Sequence, residues 1–138
     1  RLLASGNAHI HVDLIAGLPY EGFDSFRDSF NKAYALHADM LQLGFLKVLK
    51  GSHMMEMCRE YGIVYKTQEP YEVLSTKWLS AHEMEVLHGV ENACDRLHNS
   101  GRFGKTLDYV LQSTGLEPSG YVKLRWLSCI SPCICILS

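Results

Sequence analysis

Two histidines and a carboxylate alternate near the start of the chain, as His9-x-His11-x-Asp13. Extended backbone sends successive side chains to opposite faces, so these three leave on one side. Two imidazoles and a carboxylate together can hold zinc or iron, and a His-x-His on a barrel strand opens the site of some metal-dependent hydrolases. In a (β/α) barrel, however, chemistry gathers at the C-terminal ends of the strands. The strand runs on to Gly17, which puts His11 ~20 Å below that rim. Polar residues of a lower barrel are the simpler reading, and no metal ligand is assigned.

Other residues suit a ligand better. Gly17-Leu-Pro-Tyr-Glu21 follows the strand and precedes a helix, and a glycine at such a turn lets backbone approach a flat ligand or a phosphate. Gln42 is the one amide in an otherwise apolar run, and a buried amide must be hydrogen-bonded. Lys47 and Lys50 stand at or beyond the end of that run, where an anion could be met or where they are simply solvated. Cys129, Cys133 and Cys135 are spaced Cys-x₃-Cys-x-Cys, one residue short of the Cys-x₃-Cys-x₂-Cys that holds a four-iron cluster. Three thiolates can hold a soft metal, but a disordered or incidental terminal segment is the simpler reading. Glu91, Asp95 and His98 share a helical face that reads as solvated. Cys58 and Cys94 fall on apolar stripes and read as core thiols. No Ser-His-Asp or Cys-His nucleophile set and no P-loop is visible.

The elements that must position these residues follow from periodicity. His9–Ala16 is apolar on both parities in its middle, which predicts a parallel strand buried on both faces. Phe23–His37 carries Phe26, Phe30, Ala33, Tyr34 and His37 on one helical stripe. Met40–Leu49 is a second strand-like run. Strand, helix, strand within about forty residues predicts a βαβ unit with a parallel sheet. Ser52–Tyr61 reads as a short helix stopped by Gly62. Ile63–Lys66 and Tyr71–Leu74 are short extended segments. Ser80-Ala-His-Glu83 is a capping box opening a helix through Met84, Leu87, Val90, Cys94 and Leu97, closed by Asn99-Ser-Gly101. A last helix spans about Phe103 to Gln112. Tyr121–Leu127 could be a strand, and the rest of the tail is apolar and Cys-rich. The class is α/β, with a mainly helical second half; the organisation expected is 1–62, 63–118 and an atypical tail, 119–138.

Composition limits the function. The 138 residues are 47% hydrophobic and 20% charged, enough for a packed core. A net charge of −2 argues against a basic nucleic-acid-binding face. No apolar run reaches the ~18 residues of a membrane span, and the opening residues do not read as a charged-then-apolar signal sequence. Five cysteines without a regular framework fit a reducing cytoplasm. A chain that opens on Arg1 and enters a strand almost at once reads as a piece of a longer protein.

His11-Val-Asp-Leu-Ile-Ala-Gly-Leu-Pro-Tyr-Glu21 resembles the fifth-strand segment of radical S-adenosylmethionine (SAM) enzymes, in the Asp-Leu-Ile-x-Gly-Leu-Pro-Gly-Glu form of the coproporphyrinogen-dehydrogenase and methylthiotransferase branches. Leu41-Gln-Leu-Gly-Phe-Leu-Lys-Val-Leu-Lys-Gly51, Pro70-Tyr-Glu-Val-Leu74 and Asn99-Ser-Gly-Arg-Phe103 are similar to a narrower group. These are radical SAM proteins with an N-terminal cobalamin-binding domain and a C-terminal domain of unknown function. The similarity runs from about Ala8 to Leu111.

The resemblance implies the last βαβ portion of a partial (β/α)₆ barrel, followed by the C-terminal domain from about Ile63. It implies a cofactor set of Ile15, Gly17, Leu18, Glu21 and Gln42. The backbone around Ile15 and Gly17 would lie against the adenine of SAM, Glu21 would hold the turn, and Gln42 would face the barrel interior. Tyr20 stands where the family has Gly. The cluster-binding cysteine loop and the cobalamin domain belong to parts not in this chain, so the 4Fe–4S cluster, SAM and a possible cobalamin are expected of the whole protein and no cofactor of the isolated chain. Its partners would be the missing barrel strands and cobalamin domain in cis, with neither nucleic acid nor membrane. Exposed strand edges predict self-association, for instance by pairing Met40–Leu49 across a two-fold axis. Two other readings stand beside this one: a non-catalytic helical interaction module, and a His-x-His metal-dependent hydrolase.

Overall fold

The computed structural model describes residues 8–120. Its elements are β1 (His11–Ala16), α1 (Phe23–Tyr34), β2 (Met40–Phe45), α2 (His53–Tyr61), β3 (Val64–Tyr65), β4 (Val73–Ser75), α3 (Ala81–Cys94) and α4 (Gly104–Thr114), with a π-helical turn at Asp95–Asn99 between α3 and α4. The class is mixed α/β. β1 and β2 pair in parallel, His11 beside Met40 through Ala16 beside Phe45, with α1 as the crossover. The expected βαβ unit is therefore present. Asp39 sets its start: its Oδ2 accepts the Ile10 N–H at 2.8 Å, and that bond holds its carboxyl below the usual range.

Residues paired across a parallel ladder share a face. Val12, Leu14 and Ala16 with Leu41, Leu43 and Phe45 form one face, which packs under α1 and α3. Phe26, Phe30, Leu87, Val90 and Cys94 are buried there. A fully buried side chain of this size contributes roughly 1.5–3 kcal/mol. The other face carries His11, Asp13 and Ile15 with Met40, Gln42 and Gly44. Among the described residues no helix covers it; His11, Asp13 and Gln42 are exposed, and Ile15 is 47% exposed. This corrects the expectation of a strand buried on both faces. The apolar run in β1 is a one-sided strand whose outward Ile15 mimics a second apolar parity.

The second strand is also shorter than Met40–Leu49. It ends at Phe45, and the chain then leaves the ladder to pair with the second half of the molecule. The Leu46 N–H still donates to the Ala16 carbonyl, while the Leu46 carbonyl accepts from Val73 N–H and Val48 N–H donates to the Tyr71 carbonyl. Antiparallel β3 and β4 continue this array. Val73 and Leu79 are fully buried in the same core as Ala16 and Phe26, so one core runs through residues on both sides of position 62.

Local signals account for half of the helix ends. Ser52 caps α2, accepting from the Met55 N–H at 3.4 Å, and Gly62 closes it in the left-handed region at φ 58°. The Ser80–Glu83 capping box is complete. α1 stops at Tyr34, short of His37, which itself takes a left-handed φ of 50°. α4 is shifted slightly from the expected Phe103–Gln112 and ends at Gly115. Asn31 on α1 ties down the chain beyond α4, donating to Glu117 and accepting from the Ser119 N–H. No helix among the described residues is long and apolar enough to cross a membrane. Cys129, Cys133, Cys135 and the Tyr121–Leu127 strand lie outside the described residues.

Candidate functional site

Two adjoining depressions share Asp13, Leu14 and Ile15, one along the outer edge of β1 and one on the open face of the β1–β2 sheet. One, of about 270 Å³, is completed by Leu18, Glu21, Phe26 and Ser29 from the β1–α1 loop and α1. The other, of about 360 Å³, is completed by Gln42, Gly44, Phe45, Leu46 and Lys47 at the end of β2. Ile15, Leu18 and Glu21 thus line one depression at the C-terminal end of β1, and Ile15 is shared with the other, where Gln42 enters from the middle of β2. Ligand sites of α/β sheets gather at such strand ends. The absence of a Cβ at Gly44, directly beside Ile15, leaves the second depression open between the strands.

The polar groups differ in their settings. Glu21 is half-buried; burial raises its carboxyl above the ordinary value, and no described cation pairs with it. Such a carboxyl is suited to hydrogen-bonding a ligand donor rather than to an ion pair. Gln42, expected to be buried and hydrogen-bonded, is exposed instead, because its register partner is Asp13 on the open face, and it lines the second depression. Lys47 is exposed at the rim. Lys50 lies elsewhere, its Nζ 5.2 Å from the centre of the Tyr71 ring.

Gly17 is the exception within the expected set. It is buried, with φ 89°, and lines neither depression. A Cβ there would meet Met84 Cε at 3.4 Å and Leu46 and Val73 at 3.6 Å. Its positive φ and its seat against the core explain the glycine without a ligand. Tyr20, at φ 66°, also takes the left-handed region, which is the physical reason a glycine suits that position. Its ring rests on Trp78 at 4.6 Å and on Tyr61 at 5.7 Å, so aromatic contact offsets the strain.

His9 and His11 do share the open face with Asp13, their rings 4.8 Å apart. Among the described residues no group of three His, Cys, Asp or Glu side chains is gathered closely enough to hold a metal ion. The Glu91–Asp95–His98 face is broken by the π-helical turn. There Asp95 accepts from Asn99 at 2.7 Å, while the His98 ring lies 5.1 Å from that of Tyr34. Cys94 is buried against Leu41, its Sγ 3.6 Å from the Leu41 carbonyl, and burial pushes the thiol up to about 12. Cys58 is half-buried and donates to the Met54 carbonyl at 3.2 Å. Both are core thiols, as their stripes predict.

A cluster behind Phe45 has no counterpart among the residues singled out by type and spacing. Glu72 accepts from Lys66 at 2.9 Å and stands 3.3 Å from His88 Nε2, and the His88 ring stacks on Phe45 at 3.7 Å. His88 Nδ1 is 3.9 Å from Glu91. The cluster ties the wall of the second depression to α3 and to the segment before β4. Its only trace in the sequence is a charged residue inside Pro70-Tyr-Glu-Val-Leu74, which is too common a pattern to single out.

Residues 59–120 match the family model described as "Protein of unknown function (DUF4080)". That stretch runs from the last turn of α2 through α4. No curated protein matches the chain.

Proposed function

We propose that this chain is part of a radical SAM enzyme, in which the open face of β1 and β2 forms one wall of the cofactor and substrate cavity. One observation carries the reading: a parallel strand pair covered by helices on one face and, among the described residues, bare on the other, with Asp13 paired to Gln42 and Ile15 to Gly44 on the bare side. Parallel sheets are ordinarily covered on both faces, and a barrel stave is the usual arrangement in which one face turns to an interior. The matched stretch 59–120, of unknown function, falls where the resemblance puts a C-terminal domain of unknown function.

The residues present suit a nucleoside. Ile15 and Leu18, 47% and 38% exposed, offer apolar area for a flat ring, and Glu21 offers an acceptor for its amino and hydroxyl groups. They do not suit a four-iron cluster: the two cysteines among the described residues are core thiols on separate helices. The cluster, which in such enzymes reduces SAM to release a 5′-deoxyadenosyl radical, would have to be held elsewhere in the whole protein. The role of this chain is then positioning and exclusion of water.

The test uses the full coding region that contains this chain, reconstituted anaerobically with iron and sulfide. About four irons per chain are expected, the content of one such cluster. SAM binding, measured by equilibrium dialysis, is expected to weaken about tenfold in Ile15→Glu and in Glu21→Gln, the size of one lost contact of this kind. Gly17 is unsuitable as a probe, because any side chain there enters the core. Full SAM binding by both variants, or a protein without iron, would exclude the proposal. Zinc bound stoichiometrically and lost in His11→Ala would favour the hydrolase reading instead.

A further inference from the structure

The β1–α1 loop presents Leu18 and Glu21, two of the residues offered to the nucleoside. Its turn closes on a long bond, the Glu21 N–H donating to the Leu18 carbonyl at 3.3 Å. Tyr20, inside that turn, holds a left-handed φ of 66°. Strained backbone of this kind persists only where the surroundings over-determine it. Here the surroundings come from the matched stretch 59–120, at three points along the loop. Gly17 seats against Met84 and Val73. The Tyr20 ring lies on Trp78 and, edge-on, on Tyr61. The Trp78 carbonyl stands 3.4 Å from where Gly22, the N-cap of α1, would carry a Cβ.

Trp78 is itself firmly mounted. The buried Thr76 hydroxyl accepts from the N–H groups of Trp78 and Leu79 at 3.1 and 3.0 Å, and the Thr76 N–H donates to the Leu79 carbonyl at 2.8 Å. Leu79 is fully buried, so the turn is anchored in the core at both ends. A ring on so closed a turn gives up little freedom when another ring rests on it.

We infer that the stretch of unknown function acts as a positioning element for the neighbouring site: the Thr76–Leu79 turn, through Trp78 on Tyr20, fixes the β1–α1 loop in the conformation that presents Leu18 and Glu21. Trp78 lines neither depression, so it acts through Tyr20 and is a positioning residue. What the loop binds rests on the SAM reading; how the loop is held does not. Groups that contact a ligand work only when the shell behind them is fixed.

The test pairs amide hydrogen exchange with SAM binding by equilibrium dialysis, both on the full coding region that contains this chain. Trp78→Ala and Tyr20→Ala are each expected to speed exchange of the Glu21 amide about fivefold and to raise the Kd for SAM about fivefold, the worth of one aromatic pair. Trp78→Phe keeps a ring and is expected to stay within about twofold of the parent in both. The two alanine changes remove the same contact, so the double variant is expected to lie within about twofold of the worse single one. Thermal melts check folding, and the exposed Tyr20 decides the matter if Trp78→Ala does not fold. Unchanged exchange in Tyr20→Ala, faster exchange with SAM affinity intact, or single effects that multiply in the double variant overturns the inference. A parent that binds no SAM removes the cofactor reading, and the exchange rates alone then decide whether the turn holds the loop.

Discussion

Asn99 links the end of α3 to the edge of β2, and its removal tests how much that clasp contributes. Leu41 is only 1% exposed, and its N–H donates to Asn99 Oδ1 while its carbonyl accepts from Asn99 Nδ2, both at 3.0 Å. Asn99→Ala leaves Leu41 N–H unsatisfied, which costs about 1–3 kcal/mol, and deprives the carbonyl of its best donor. The carbonyl keeps only the thiol of Cys94, at 3.6 Å, a weak donor. The expected loss is about 2 kcal/mol, which lowers a urea midpoint by about 1–2 M at an m-value typical of this size. Asn99→Asp separates the two halves of the clasp. It keeps an acceptor for Leu41 N–H but faces the Leu41 carbonyl and Asp95, previously bonded at 2.7 Å, with a second carboxylate. Its folded carboxyl is disfavoured as the anion, so the destabilisation is expected to be full above the ordinary carboxylate range and relieved as pH falls through it. Urea unfolding followed by circular dichroism at neutral and acid pH measures both. A change below about 0.5 kcal/mol in Asn99→Ala, the scale of an ordinary surface substitution, would refute the argument that the clasp matters.

Two further outcomes follow from local geometry. Gly17→Ala is expected to cost about 1–2 kcal/mol in thermal or urea unfolding, because φ 89° is unfavourable for any Cβ while the nearest atom, at 3.4 Å, is the flexible end of Met84. Ser80→Ala is expected to cost about 1 kcal/mol at neutral pH by removing the cap of α3. The Ser80 backbone N–H and hydroxyl donate to Glu83 and lower its carboxyl below the ordinary 4.5. The sign follows: the capping stabilisation is fully present above 4.5 and fades as pH falls through the lowered folded value. The difference between parent and variant should therefore shrink in acid, which paired melts at both pH values would show.

Elements held together by neighbours along the chain are legible in the amino-acid order alone. Ser52 and Gly62 bracket α2, and Ser80 with Glu83 opens α3, since each cap closes hydrogen bonds within four residues. The parallel pairing of β1 and β2 is legible for a related reason: a strand, a helix and a strand joined by short loops have few ways to bury their apolar faces. The set Ile15, Leu18, Glu21 and Gln42 rests on a resemblance, and the fold brings those four to two adjoining depressions that share Ile15, while Gly17 turns inward to Met84.

Which face of β1 packs against the helices and where β2 stops are decided only by contacts between distant residues. Ile15 is as apolar as Leu14, and nothing local distinguishes the one that packs from the one that does not. Val73 drawing Leu46 out of the ladder, Asn99 reaching Leu41 across 58 residues, and His88 stacking on Phe45 all depend on how α3 settles on the sheet. The amino-acid order sets the periodicity and the caps because those arise from the backbone's own short-range hydrogen bonds. It leaves the packed face and the end of the ladder to the tertiary fold, because burial is a property of what comes to lie alongside.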